Sequence, residues 1–205
     1  MSEKVRFWVD PICPWCWVTA RWIREVRPQR GLEITWEPIS LLFKNQPAPE
    51  SPYFGPVEWS RNLLRVMEAV RVGEGDVAVE PYYVECGARI HHDKTREFTG
   101  ADVLTAVGLP ARYGASADDE SLDAVIRERM DQGLALVGQD VGTPIISLIR
   151  PDGREMAMFG PVITRVPAGD DAVKLWDVFS TVTTMEGVWE IKRTRTEAPD
   201  PGARP

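Results

Sequence analysis

The sequence predicts an α/β fold in two halves, an amino-terminal βαβ unit and a carboxy-terminal ββα unit, with a helical insertion between them. Three observations carry this reading. A short apolar run, Val5-Arg6-Phe7-Trp8-Val9, stops at Asp10-Pro11 and gives way to apolar residues at helical spacing. Helical spacing then fills the middle of the chain. Strand-like runs return only at Ile145 to Phe159.

Taken in order, Val5–Val9 fits a buried strand, because a short continuous apolar run closed by a proline turn is what such a strand looks like. Trp17, Ile23 and Val26 follow with helix-like spacing until Pro28 and Gly31. Glu33-Ile34-Thr35-Trp36-Glu37 alternates polar and apolar residues before Pro38, giving a second strand and a crossover made of one helix. Asn45 to Pro56 is rich in proline and short polar residues and marks a loop leaving the sheet. Four apolar stripes come next: Leu63, Leu64, Met67 and Val70; Val84 to Ile90; Val103 to Val107; and Leu122, Val125, Ile126 and Met130. Ile145–Ile149 and Glu155–Phe159 flank the turn residues Pro151-Asp152-Gly153 and read as a hairpin. Val173, Leu175, Trp176 and Phe179 mark a last helix, and the proline-rich, polar end of the chain is expected to be disordered. This is the order of a thioredoxin-like fold with a helical insertion. Its expected divisions are 1–45 and 139–190 for the thioredoxin-like domain, 46–138 for the insertion and 191–205 for a flexible tail.

Charge and composition narrow the function. With 24 Lys and Arg against 31 Asp and Glu, the net charge of −7 argues against a nucleic-acid surface. Met1-Ser2-Glu3-Lys4-Val5-Arg6 lacks the apolar core of a secretory signal, so the expected location is the cytosol. No apolar stretch approaches the roughly 20 residues that span a bilayer, so no membrane partner is expected. Three cysteines are too few for a secreted disulfide scaffold and suit a reactive pair plus one bystander, Cys86.

The pair is Cys13-Pro14-Trp15-Cys16, placed where a strand hands over to a helix. Disulfide exchange needs one thiol held as thiolate and a second close enough to resolve a mixed disulfide. At a helix start the free N–H groups and the positive dipole end favour the anion on Cys13, and Cys16, one turn in, faces it. Pro14 costs little at an early helical position. A zinc module is the rival use of this spacing, with His91 and His92 completing a Cys2His2 set, but adjacent histidines lack the usual separation for closing round one ion. Val141-Gly142-Thr143-Pro144, at the start of the third strand, is the second redox signal. Thioredoxin-like proteins hold a cis proline here against the cysteines, which would leave the Thr143 backbone free to pair with a thiol substrate.

Phe7-Trp8-Val9-Asp10-Pro11-Ile12-Cys13-Pro14-Trp15-Cys16-Trp17, Arg89-Ile90-His91, Gly138-Gln139-Asp140-Val141-Gly142-Thr143-Pro144, Phe159-Gly160-Pro161-Val162, Lys174-Leu175-Trp176-Asp177 and Lys192-Arg193-Thr194-Arg195-Thr196-Glu197 together resemble the mycothiol-dependent nitroreductase family of actinobacteria, a DsbA-like group also described as mycoredoxin-like. The likeness runs nearly end to end and is loosest over the insertion. It implies a cytosolic enzyme with no bound cofactor, taking electrons from the low-molecular thiol mycothiol as co-substrate. The acceptors would be small-molecule or protein disulfides, or electrophiles that include nitroaromatics. It also implies a substrate cleft lined by an asparagine after the second strand, a tyrosine in the following loop and a histidine on the insertion, whose counterparts are Asn45, Tyr53 and His91.

Other roles stay open at this stage. Trp15 offers an aromatic face to a flat acceptor or shields the disulfide. Asp10 is a proton acceptor or a strand-end cap. Alternatives to the reductase are a kappa-type glutathione transferase or isomerase, which needs no second cysteine, the non-enzymatic zinc module, and a protein-disulfide partner in natural-product biosynthesis. The oligomeric state has no signal in the sequence.

Overall fold

The computed structural model describes residues 3–205. Strand β1 (Glu3–Val9), helix α1 (Pro14–Arg30) and strand β2 (Leu32–Pro38) form the βαβ unit. Strands β3 (Ile145–Ile149) and β4 (Glu155–Phe159) and helix α7 (Gly169–Thr184) form the ββα unit. The two units share one four-stranded sheet of order β2-β1-β3-β4. β1 runs parallel to β2 with Phe7 opposite Trp36, and antiparallel to β3 with Trp8 opposite Ile145. β3 and β4 pair as the expected hairpin, closed by Arg150 and Gly153, with Gly153 at φ 83°. A positive φ is open to glycine without the clash a Cβ would make.

Both faces of the sheet are covered. On one, α1 meets α7 through Trp22, whose ring lies 5.9 Å from that of Trp176 and whose indole N–H donates to the Ala172 carbonyl at 2.9 Å. On the other, Trp8 donates from its indole to the Arg129 carbonyl at 2.8 Å. Arg129 belongs to the last insertion helix, α6 (Leu122–Val137). That helix comes close because Gly133 has no side chain: a Cβ there would stand 2.7 Å from the Trp8 ring. Between β2 and α6 lie α2 (Leu41–Asn45), α3 (Phe54–Glu74), α4 (Val79–His91) and α5 (Gly100–Ala106), with one 3-10 turn between α3 and α4 and another between α5 and α6. α5 opens on a capping box made by Thr99 and Asp102.

Two stripes differ from the sequence reading. In α4 the buried positions are Val79, Tyr82, Tyr83, Cys86, Gly87 and Ala88, so the middle of the expected Val84–Ile90 stripe is buried while its ends, Val84 and Ile90, are half-buried, and the buried face extends back to Tyr83, which stacks on Trp36 at 5.1 Å. In α6, Ile126, Met130 and Leu134 form the buried row at i, i+4 and i+8, and Val125, about 100° away, is exposed. Charges sit under this seam. Glu37 of β2, 3% exposed, pairs with Arg6 at 3.0 Å and Arg129 at 2.9 Å, and Glu68 of α3, 1% exposed, pairs with Arg71 at 3.1 Å and lies 2.9 Å from Arg129. Arg71 also donates to the Trp36 carbonyl.

Residues 191–205 contain no helix or strand and lie against the molecule at several points. The Asp200 N–H donates to the Thr164 carbonyl at 2.7 Å, Arg165 pairs with Glu197 at 3.0 Å, and Arg204 pairs with Asp93 at 3.1 Å. Among the described residues no helix is long and apolar enough to cross a membrane.

Candidate active site

The strand-to-helix junction builds the site. β1 ends at Val9, and Asp10 to Ile12 make a tight turn in which the Cys13 N–H donates to the Asp10 carbonyl at 3.0 Å. Cys13 is the N-cap of α1, with extended backbone (φ −78°, ψ 113°), and Pro14 opens the helix. The Cys13 sulfur therefore takes the place of a capping oxygen and accepts from the Cys16 N–H at 3.4 Å. Thr143, immediately before a cis bond to Pro144, donates from its hydroxyl to the same sulfur at 3.0 Å. Cys16 is fully buried, and its thiol faces the Trp8 carbonyl at 3.9 Å.

These contacts split the pair. The Cys13 thiol is held below its ordinary pKa, first by the Cys16 thiol donating to it, then by the Thr143 hydroxyl and the Cys16 N–H; burial and the Asp10 charge oppose this. Burial and the adjacent Cys13 sulfur drive the Cys16 thiol well above the ordinary value. Cys86, buried on α4 and pushed up to about 12 by desolvation, is inert beside them.

Asp10 is buried and meets three donors: the Ile12 N–H at 3.2 Å, the Leu41 N–H at 2.8 Å and the Ser60 hydroxyl. Burial outweighs those bonds and raises the carboxyl to about 6. The structure thus places Asp10 as a brace between the cysteine turn, the start of α2 and α3, with its side chain bonded to neither sulfur. His91 donates from Nε2 to the Pro11 carbonyl at 2.8 Å, and desolvation lowers it to about 4, so the ring is neutral near pH 7. His92 uses its Nε2 to accept from the Trp17 indole at 3.0 Å. Both rings are thus engaged in hydrogen bonds, and among the described residues no cluster of three or more His, Cys, Asp or Glu could hold a metal ion. Trp17 itself is wedged into the insertion: it stacks on His91 at 5.9 Å and fills the space above Gly87, where a Cβ would lie 2.2 Å from the indole.

Of the other expected site residues, Pro14 is exposed and Trp15 half-buried at the surface beside the cysteines. Asn45 ends α2 and is exposed; Tyr53 is the N-cap residue of α3 and 73% exposed. Neither side chain hydrogen-bonds to the cysteine segment. A cavity of about 420 Å³ opens next to the motif, lined by Pro14, Trp17, His91, His92, Lys94 and the tail at 199–202. Sequence reasoning did not reach Ser60, the Trp17–His92 bond or the Thr143 hydroxyl. The first two have no local signal, since their partners are 50 and 75 residues away.

The sequence pattern of the Rv2466c-like family, described as mycothiol-dependent nitroreductase Rv2466c, matches residues 12–193. The chain belongs to this family. The chain is also similar to the uncharacterized protein Rv2286c of Mycobacterium tuberculosis, 29% identical over 202 residues, covering 95% of this chain and 83% of that one. Among solved structures, the cytosolic disulfide reductase DsbM of Pseudomonas aeruginosa with GSH superposes with a TM-score of 0.56 at 14% identity, over 85% of this chain and 98% of that one. The structure titled "probable DsbA oxidoreductase" of Streptomyces coelicolor gives 0.55 at 16% identity over 97% of each chain. At these identities the superpositions establish the fold: a DsbA-like thioredoxin fold with a helical insertion. Membership of this family makes the protein an oxidoreductase.

Proposed function

We propose that this protein is a mycothiol-dependent reductase that works through Cys13 and Cys16 in the cytosol on disulfides or electrophilic acceptors, nitroaromatics among them. The observation that carries the reading is the asymmetry of the pair. Cys13 sits at a helix N-cap with two donors on its sulfur, and Cys16 stands behind it with its proton held. In the reductive half, the Cys13 thiolate attacks one sulfur of a disulfide, forming a mixed disulfide and expelling the other sulfur as thiolate. Cys16 then gives up its proton and attacks Cys13, releasing the second thiol and leaving a Cys13–Cys16 disulfide. Two mycothiol molecules return the enzyme to the dithiol and leave as mycothiol disulfide. With an electrophilic acceptor the same two electrons and two protons go to the acceptor. Thr143 supports substrate pairing through its backbone beside Pro144, and Pro14, Trp15 and His91 border the entry to Cys13. Asn45 and Tyr53 belong to the cleft by family likeness, and from their exposed positions they would meet the part of a substrate that lies farthest from the sulfur.

An acceptor screen with mycothiol and, in parallel, glutathione as electron source tests this. Turnover with mycothiol that is lost in Cys13→Ser is expected. Activity that survives Cys13→Ser would refute the reading, and full activity in Cys16→Ser would assign transferase rather than dithiol chemistry.

A further inference from the structure

The tail brings an uncompensated cation to the tryptophan between the cysteines. The Arg195 guanidinium carbon stands 5.3 Å from the centroid of the Trp15 ring. Its acidic neighbours are already engaged: Glu197 and Asp200 pair with Arg165 at 3.0 and 3.9 Å. Arg204 is likewise paired, with Asp93 at 3.1 Å and Glu85 at 3.6 Å. Arg195 has no carboxylate within ion-pair distance among the described residues, and neither has Lys94, which lines the cavity beside Pro14 and Trp17. Downstream of Arg195 the tail is held to the molecule by the pairing of Glu197 with Arg165, by the Asp200 N–H on the Thr164 carbonyl and by the pairing of Arg204 with Glu85 and Asp93.

An arginine resting on an indole face is held in place without losing its charge, and its fork of N–H donors matches a carboxylate. The chain as a whole carries −7 and repels anions at a distance, so a cation held on the tryptophan between the two cysteines selects at close range. We propose that Arg195 is a specificity-determining residue that selects aromatic acceptors bearing a carboxylate: the carboxylate meets the guanidinium held over Trp15 while the acceptor's sulfur reaches Cys13. The proposal rests on the dithiol reading of Cys13 and Cys16. In the step concerned, the Cys13 thiolate forms a bond to one sulfur of an aromatic disulfide and the aryl S–S bond breaks, releasing an arylthiolate. Cys16 loses its proton, bonds to Cys13 and releases the second arylthiolate, so the probe is reduced by two electrons and the cysteine pair oxidised by two.

The test uses the full-length reduced protein and two aromatic disulfides, the carboxylated 5,5′-dithiobis(2-nitrobenzoate) and the uncharged 2,2′-dithiodipyridine. Stopped-flow rate constants give a ratio of carboxylated to uncharged probe. Arg195→Gln should lower that ratio about tenfold, the scale of one charge-assisted hydrogen bond, and Arg195→Lys should retain most of it. Salt at about 0.5 M screens the chain's net negative charge in both proteins, so the ratio should rise in Arg195→Gln and should rise less, or fall, in the wild type, where the attraction to Arg195 is screened as well. An unchanged ratio overturns the proposal, and so does an equal fall with both probes, which would mark Arg195 as packing for Trp15 or as a field on the Cys13 thiol. If neither probe reacts faster with the wild type than with Cys13→Ser, the oxidoreductase reading itself fails and takes the proposal with it.

Discussion

Replacing Asp10 with Asn separates its ionisation from its hydrogen bonds. Three donors converge on the carboxylate, and an amide offers one acceptor oxygen, so Asp10→Asn loses a bond at every pH, worth about 1 kcal/mol. The pH-dependent part has the opposite sign. Burial raises the carboxyl from 3.8 to about 6. The folded chain therefore binds the extra proton between these values. Its stability is greatest when Asp10 is protonated in both states and declines as pH rises through about 6. A displacement of this size corresponds to about 3 kcal/mol between the two limits. About 2 kcal/mol of it falls between pH 4.5 and 8. Urea unfolding followed by tryptophan fluorescence should show the wild type losing about 2 kcal/mol relative to Asp10→Asn over that range. Parallel pH profiles would refute the reasoning, because they would mean that Asp10 ionises in the fold as easily as in the unfolded chain. The same substitution removes a negative charge that raises the Cys13 thiol. Alkylation of Cys13 above pH 6 should then begin at lower pH in the variant.

Other expectations follow from single contacts. Iodoacetamide at neutral pH should label Cys13 far faster than Cys16 or Cys86 by mass-spectrometric mapping, since only Cys13 is held below the ordinary thiol range; preferential labelling of either other cysteine would be the contrary result. Thr143→Val removes the hydroxyl that donates to Cys13 and should shift its alkylation profile to higher pH, whereas Thr143→Ser should not; equal profiles would remove the hydroxyl from the thiolate's support. Gly87→Ala puts a Cβ 2.2 Å from the Trp17 ring and should destabilise the fold by about 1–3 kcal/mol in urea titration, with an unchanged midpoint speaking against the tight fit. His92→Leu leaves the Trp17 indole N–H without its acceptor, at an expected cost of about 1–3 kcal/mol on the same scale, whereas His92→Gln restores an acceptor and part of the loss.

The sheet was the most legible part of the fold. Ile145–Ile149 and Glu155–Phe159 are strands over the residues that sequence pattern marks, since apolar runs bounded by turn residues leave little choice of period. β1 begins two residues earlier than its apolar run, at Glu3, because pairing with Leu32 of β2 holds a polar residue in register. The cysteine pair was legible because helix-start chemistry is local, and Pro144 because it stands directly before the apolar run of β3. What surrounds them was not. Ser60 reaches Asp10, and Trp17 reaches His92, only after the insertion has folded back over the motif. Charged residues such as Glu37 and Glu68 read as surface, and it takes their distant partners Arg6, Arg71 and Arg129 to make burial tolerable.

That same group of charges bears on how such a chain comes apart. Glu37 lies in the sheet, yet one of its two arginines comes from α6, and Arg129 also stands beside Glu68 of α3. Excising the insertion would strand Glu37 with a single partner, and removing one member of a buried pair costs about 3–5 kcal/mol. The two halves are therefore one cooperative unit. An insertion that lacked an arginine at position 129 would leave Glu37 of the sheet and Glu68 of α3 each short of a partner.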